Sequence, residues 1–116
     1  MLIGALLGLM RQLGLDIVTL TEEIDEAEFF ASRLTRMQTL QLLASMSKTA
    51  ATVPMEVQAR MSQIDWAAWA ALPDKLAHPA QHPFQIWVAI KELTPMTVQH
   101  LNEYKRVQPK LFSVVP

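Results

Sequence analysis

The chain has 116 residues, with ten Lys and Arg against eleven Asp and Glu, and it has no cysteine. This length is typical of one domain with its own core, so we expect residues 1–116 to form a single domain. The lack of cysteine excludes a disulfide framework, a thiolate metal site and a cysteine nucleophile. A net charge of −1 argues against binding nucleic acid through bulk charge.

Hydrophobic residues make up 51% of the chain and charged residues only 18%. A small domain cannot bury all of that apolar surface by itself, so the excess predicts an interface between copies. Glycine is confined to the first 14 residues, and no Asn-Gly or Asp-Gly turn or long alternating stretch occurs. These features predict an all-helical fold.

The first predicted helix spans residues 2–21. Its opening, MLIGALLGLM, is as apolar as the middle of a signal peptide, but no basic segment precedes it and no small-residue cleavage site follows closely. Arg11, Gln12 and Asp16 interrupt the apolar pattern, so we expect no stretch to approach the length of a membrane span. The sequence therefore predicts a soluble, cytoplasmic protein without membrane contact.

Helix signals continue through the middle of the chain. Asp25 and Glu28 have the spacing of a capping box, which predicts a short second helix. The strongest signal covers residues 34–53, and Pro54 is expected to end that helix. A short connecting helix follows over residues 55–62.

Prolines divide the second half of the predicted fold. Asp65 can cap a helix that starts at Trp66, and Pro73 is expected to end it within two turns. The stretch LAHPAQHPF is predicted to be a loop or a broken helix, with regular helix resuming near residue 84. Thr94 and Pro95 then predict a new helix start that runs to about residue 107, followed by a tail marked by Pro109 and Pro116. We expect Trp66 and Trp87 to be core residues.

A small polar cluster, Asp74, Lys75 and His78, is the candidate catalytic site. A histidine beside a lysine and a carboxylate can perform general acid–base chemistry, although a solvated turn between helices has the same composition. His78 and His82 have the i, i+4 spacing of a helical metal pair, but Pro79 interrupts the helix and no third ligand is near. We therefore predict neither a metal nor another cofactor.

The C-terminal third is mildly basic. Lys91, Lys105, Arg106 and Lys110 surround Tyr104, a composition that can bind RNA through stacking and charge. Cations near the end of a helix also stabilise the helix itself. RNA binding is therefore one open alternative for this segment.

Four stretches, in this order, resemble the HepT-like branch of the HEPN superfamily: LTRMQTLQLLASMSKTAATVP, ARMSQIDWAAW, DKLAH and IWVAIKELTPMTVQHL. The family has a long helix, an aromatic entry into the next helix, an Arg-Asn…His motif, and a tryptophan followed eight residues later by proline. Trp87 and Pro95 keep that last spacing, Trp66 matches the entry, and His78 matches the histidine. The resemblance covers residues 25–102.

The resemblance implies an up-and-down bundle of four to five main helices that pairs as a homodimer. It also implies a toxin–antitoxin system, because such proteins are encoded beside a minimal nucleotidyltransferase, which modifies a tyrosine two residues after the histidine. They cut RNA without metal. The histidine moves the proton of a ribose 2′-hydroxyl, and the arginine stabilises the charge of the phosphorane.

The chain departs from the family at its catalytic motif. Pro73 replaces the arginine, Asp74 the asparagine and Ala80 the modified tyrosine. Lys75 supplies a nearby cation, but as a point charge rather than a planar fork.

Three hypotheses follow. The first is a dimeric partner of a minimal nucleotidyltransferase with an eroded ribonuclease site. The second is an active, metal-independent endoribonuclease that uses His78 and Lys75. The third is a helical adaptor unrelated to the family.

Overall fold

A computed structural model describes residues 2–113, and every regular element in that range is helical, which confirms the predicted all-α class. The α-helices are α1 Ile3–Thr21, α2 Glu26–Ala31, α3 Arg33–Thr52, α4 Met55–Arg60, α5 Trp66–Ala77, α6 Pro83–Val88 and α7 Thr94–Val107. A π-helical segment, Ala89–Leu93, joins α6 to α7, and 3-10 turns cover Pro79–Gln81 and Pro109–Phe112. Pro116, predicted to mark the tail, lies outside the described residues.

The helix starts follow the predicted capping chemistry. The Asp25 carboxylate accepts a hydrogen bond from the Glu28 N–H at 2.8 Å, and the Glu28 carboxylate accepts one from the Asp25 N–H, which completes the capping box of α2. Asp65 accepts a hydrogen bond from the Ala68 N–H at 3.0 Å, as expected for the start of α5. These side chains satisfy backbone donors that the first helical turn leaves unpaired.

Helix α1 packs between α3 and the C-terminal helices. It runs antiparallel to α7, because its Gly14 lies against Val98, while its last residue, Thr21, accepts a hydrogen bond from the side chain of Lys91. Helix α3 in turn packs against α5. The molecule is elongated, with extents of 45 × 26 × 22 Å.

The fully buried tryptophan is Trp69, which is 0% exposed and whose indole N–H donates to the Thr97 hydroxyl at 3.0 Å. Trp66 and Trp87 are only half-buried and pack against the margin of the core. The prediction that these two are core residues is therefore wrong in degree. The largest side chains with almost no exposed surface are Trp69, Phe29, Leu7, Met10, Ile17, Leu43, Met46, Met61, Ile86, Ile90 and Leu101.

Pro73 does not end α5, contrary to the prediction. The helix continues to Ala77 with this proline in its interior. A proline there leaves the carbonyl four residues earlier, that of Trp69, without its helical donor. The buried Ser47 hydroxyl of α3 donates to that carbonyl at 2.8 Å. A neighbouring helix thus replaces the hydrogen bond that Pro73 cannot form.

Helix α7 begins at Thr94 and ends at Val107 as predicted, but the prediction that Thr94 caps a separate new helix is wrong. The chain stays helical from Pro83 to Val107 through the π-helical segment, and the backbone of Leu93 and Thr94 is helical rather than extended. The Thr94 hydroxyl donates to the Ala89 carbonyl at 2.8 Å instead of capping α7. The wider π turn gives the Pro95 ring space that a regular α-turn lacks, because the ring would contact the carbonyl one turn earlier.

Helix α1 begins one residue later than predicted, at Ile3, and ends at Thr21 as predicted. By length and composition, its 19 residues meet the requirement for a membrane span, and 33% of the most apolar window is buried inside the protein. At 1.5 Å per residue, such a helix spans about 29 Å, close to a hydrocarbon core of about 30 Å. The expectation that no stretch approaches this length is therefore wrong, because two charges among so many apolar residues do not suppress the signal.

Candidate functional site

The three candidate catalytic residues lie at the C-terminal end of α5. Asp74 and His78 are exposed and Lys75 is half-buried. The backbone N–H of His78 donates to the Lys75 carbonyl at 3.2 Å, and the chain leaves the helix at His78, with φ −134° and ψ 64°. Within residues 2–113, the side chains of these residues make neither a hydrogen bond nor an ion pair.

Lys75 and His78 contribute to different features of the structure. Lys75 lines a groove of about 360 Å³ between α5 and the helices α6 and α7. His78 instead caps the 3-10 turn Pro79–Gln81, where its carbonyl accepts a hydrogen bond from the Gln81 N–H at 3.0 Å. The structure therefore brings the two residues to one helix end without joining their side chains.

The positions that the resemblance assigns to the catalytic arginine and to the modified tyrosine are open to solvent. Pro73 and Ala80 are both exposed, and neither side chain carries a charge or a hydrogen-bond donor. A proton acceptor and an exposed carboxylate are thus present, but the guanidinium that would stabilise a phosphorane is not at its family position.

A guanidinium that the sequence analysis missed lies near the turn that follows His78. Arg36 of α3 lines a cavity of about 330 Å³ together with Pro79, Ala80 and Pro83. Its side chain donates to the Phe30 carbonyl, near the C-terminal end of α2. This arginine is separated by more than 40 residues from His78, so no local motif could have indicated it.

The other two histidines do not extend the site into a metal centre. His82 lies between the 3-10 turn and α6, and the Nδ1 of His100 lies 3.8 Å from a Glu103 carboxylate oxygen on α7. Across residues 2–113, no group of three or more histidine or acidic side chains is arranged to hold a metal ion.

The basic C-terminal segment does not present Tyr104 as a free stacking platform. The tyrosine is half-buried, and its hydroxyl accepts a hydrogen bond from the Gln63 N–H at 3.3 Å. Lys91 is directed inward, where its ammonium donates to Thr21 and lies 5.2 Å from the centre of the Trp87 ring. Lys105 and Arg106 remain exposed in the last turn of α7, where their positive charges interact favourably with the negative end of the helix dipole.

The groove that contains Lys75 is lined largely by apolar side chains. We call it the α5–α6 groove. Ala68 and Leu72 form its α5 wall, and Phe84, Val88 and Met96 form the opposite wall. Phe84 is 68% exposed and Met96 55% exposed. Large side chains exposed this far along one groove are typical of a contact surface.

Comparisons of this chain with family models, with curated proteins and with solved structures find no match.

Proposed function

We propose that this chain is a divergent HepT-like member of the HEPN superfamily. In this proposal it is a cytoplasmic homodimer with an up-and-down, HEPN-like bundle, and it binds a minimal nucleotidyltransferase in a toxin–antitoxin-type system. Its ribonuclease site is eroded. Two observations support this proposal. The four stretches that resemble the family occur in the family's order, and long helices of the chain, α1 and α7, pack antiparallel to each other.

One observation supports the proposed loss of ribonuclease activity. His78 stands exposed at the end of α5 with no side chain hydrogen-bonded to it among the described residues. A general base acts efficiently when a fixed cation stabilises the phosphorane that forms beside it. Lys75, one turn earlier, lines a groove instead of contacting His78. A misplacement of about 1 Å can lower a rate by about 100-fold.

The ribonuclease test incubates purified protein with structured and unstructured RNA in the presence of EDTA. We expect cleavage to be weak or absent and unchanged by His78→Ala. The second candidate function, a metal-independent endoribonuclease, is favoured by the presence of Lys75 and His78 in one helical turn. Cleavage in EDTA that disappears in both His78→Ala and Lys75→Ala would replace the proposal with that function.

The partner test concerns the nucleotidyltransferase. We expect a gene for a minimal nucleotidyltransferase beside the gene for this chain, and we expect the two products to copurify after coexpression. The family's modified tyrosine is replaced by Ala80, so mass spectrometry should find no nucleotidyl group at that position. Failure of the two proteins to associate would contradict the proposal and favour an unrelated helical adaptor.

A further inference from the structure

The walls of the α5–α6 groove carry opposite charges at its two ends. Lys75 and Phe84 line one end. Asp65 and Met96 lie together at the other end, where they also border a second depression. Glu92 lies between Val88 and Met96 on the same wall. The groove is therefore basic at the Phe84 end, acidic toward the Met96 end, and apolar in between.

The charges along this groove are complementary to those of a second groove that runs in the opposite direction. A two-fold axis through the middle of the groove turns a second copy end for end, so the basic end of each copy meets the acidic end of the other. Phe84 lines the same end of the groove as Lys75, and Glu92 lies eight residues after Phe84 on that wall, which is about two helical turns or roughly 12 Å at 1.5 Å per residue. Both pairs can therefore form across a single compact interface.

We infer that the α5–α6 groove is the face through which two copies of this chain pair, with Lys75 of each copy set against Glu92 of the other. The inference rests on the proposed homodimer and assigns it a surface. Phe84 and Met96 then become buried between the copies, which removes two of the most exposed apolar side chains from water. We assign a second copy of the chain to this groove because the groove contains both the positive charge of Lys75 and the negative charge of Glu92 that the pairing requires.

The apolar part of the interface is tested with Phe84→Glu. Light scattering should return about twice the 13.1 kDa chain mass for the wild type and the monomer mass for the variant. Leu34→Glu is the matched control, because Leu34 is also 68% exposed but lies on α3, outside the groove. Circular dichroism verifies that both variants keep their helix content, since both side chains are largely in solvent.

The charge pairing is tested by reversing one charge at a time. Lys75→Glu places two glutamates against each other in both pairs, and Glu92→Lys places two lysines together. Each variant should raise the dimer dissociation constant by at least about tenfold at low salt. A mixture of the two variants restores both opposite-charge pairs, so the heterodimer should form with an affinity close to that of the wild type.

The outcomes separate the two proposals. A wild-type dimer that Phe84→Glu leaves intact, or two charge variants that do not rescue each other, would overturn the assignment of this face while leaving the homodimer standing. A wild-type protein that stays monomeric at micromolar concentration would overturn the homodimer itself, and the inference with it.

Discussion

Ser47 shows how one hydroxyl can decide the length of a helix in another part of the chain. It is buried on α3, and it donates to the Trp69 carbonyl that Pro73 leaves without a helical partner. An unpaired buried carbonyl costs about 1–3 kcal/mol. This hydrogen bond therefore offsets much of the cost of a proline inside α5.

We predict that Ser47→Ala lowers the free energy of unfolding by about 1–3 kcal/mol, because it leaves the Trp69 carbonyl unsatisfied. Urea denaturation measures this loss. In a Pro73→Ala background, the new N–H at position 73 can reach the same carbonyl, so the Ser47→Ala loss should shrink. Equal losses in the two backgrounds would show that the hydroxyl does not compensate for the proline.

Thr39→Val is the control for this residue. Thr39 is also buried on α3, but its hydroxyl oxygen makes no hydrogen bond to any described residue. Replacing it by the isosteric valine should leave stability unchanged or raise it, because an unpaired buried polar group is removed.

The stability lost when a tryptophan is replaced by alanine should depend on how deeply that tryptophan is buried. Trp69→Ala is expected to cost about 3–5 kcal/mol, as for a fully buried large side chain. It also leaves the Thr97 hydroxyl without one of its partners. Trp66→Ala should cost clearly less, since Trp66 is half-buried. Denaturant titrations of the two variants measure the difference, and equal losses would contradict the observed placement of Trp69 at the centre of the core.

At the scale of helices, the glycines of α1 have three different surroundings. A Cβ at Gly4 would overlap the backbone of Phe112 and Ser113, and one at Gly14 would overlap the Val98 side chain and lie 3.2 Å from the end of Met46. At Gly8, no described atom lies within 4 Å of the added carbon. Two of the three glycines thus allow neighbouring elements to approach α1 closely.

We predict opposite signs for alanine substitutions at these positions. Gly8→Ala should raise the free energy of unfolding by up to about 1 kcal/mol through helix propensity. Gly14→Ala should lower it by about 1–3 kcal/mol, because the β-branched Val98 side chain cannot turn away freely. Gly4→Ala should displace the C-terminal 3-10 turn and make it more sensitive to proteolysis. A stabilising Gly14→Ala would contradict the close approach of α1 and α7.

Lys91 connects the π-helical segment to the end of α1 through a hydrogen bond. Its ammonium donates to the Thr21 carbonyl at the last residue of α1 and lies over the Trp87 ring. We predict that Lys91→Met lowers the free energy of unfolding by about 1–3 kcal/mol, because it removes a charged donor at the negative end of a helix dipole. Lys105→Met, on an exposed side chain, should change stability by less than about 0.5 kcal/mol. Thermal and urea unfolding compare the two.

At the scale of the whole molecule, the low charged fraction and the exposed groove lead to one thermodynamic prediction. If folding and pairing are linked, the thermal midpoint must rise with protein concentration, because the dimer draws the equilibrium toward the folded state. We expect this rise over about a hundredfold range of concentration, followed by circular dichroism. The Phe84→Glu variant should melt at a midpoint that does not depend on concentration.

Local interactions explain which features the sequence predicted. The all-helical class, the capping box at Asp25 and the start of α5 at Asp65 depend on residues within one or two turns of each other. Such short-range patterns can be read without knowing what packs around them.

Only the tertiary structure decided the path of the chain through Pro73 and Pro95 and the arrangement of the candidate site. Proline breaks an isolated helix, but the Ser47 hydroxyl from α3 and the π-helical turn before α7 satisfy or accommodate what these prolines disturb. The tertiary structure places Arg36 near the turn after His78. It also forms the apolar groove beside Lys75 from residues that are remote in sequence. Propensity is a local quantity of a fraction of a kcal/mol to about 3 kcal/mol, and contacts between distant residues can outweigh it.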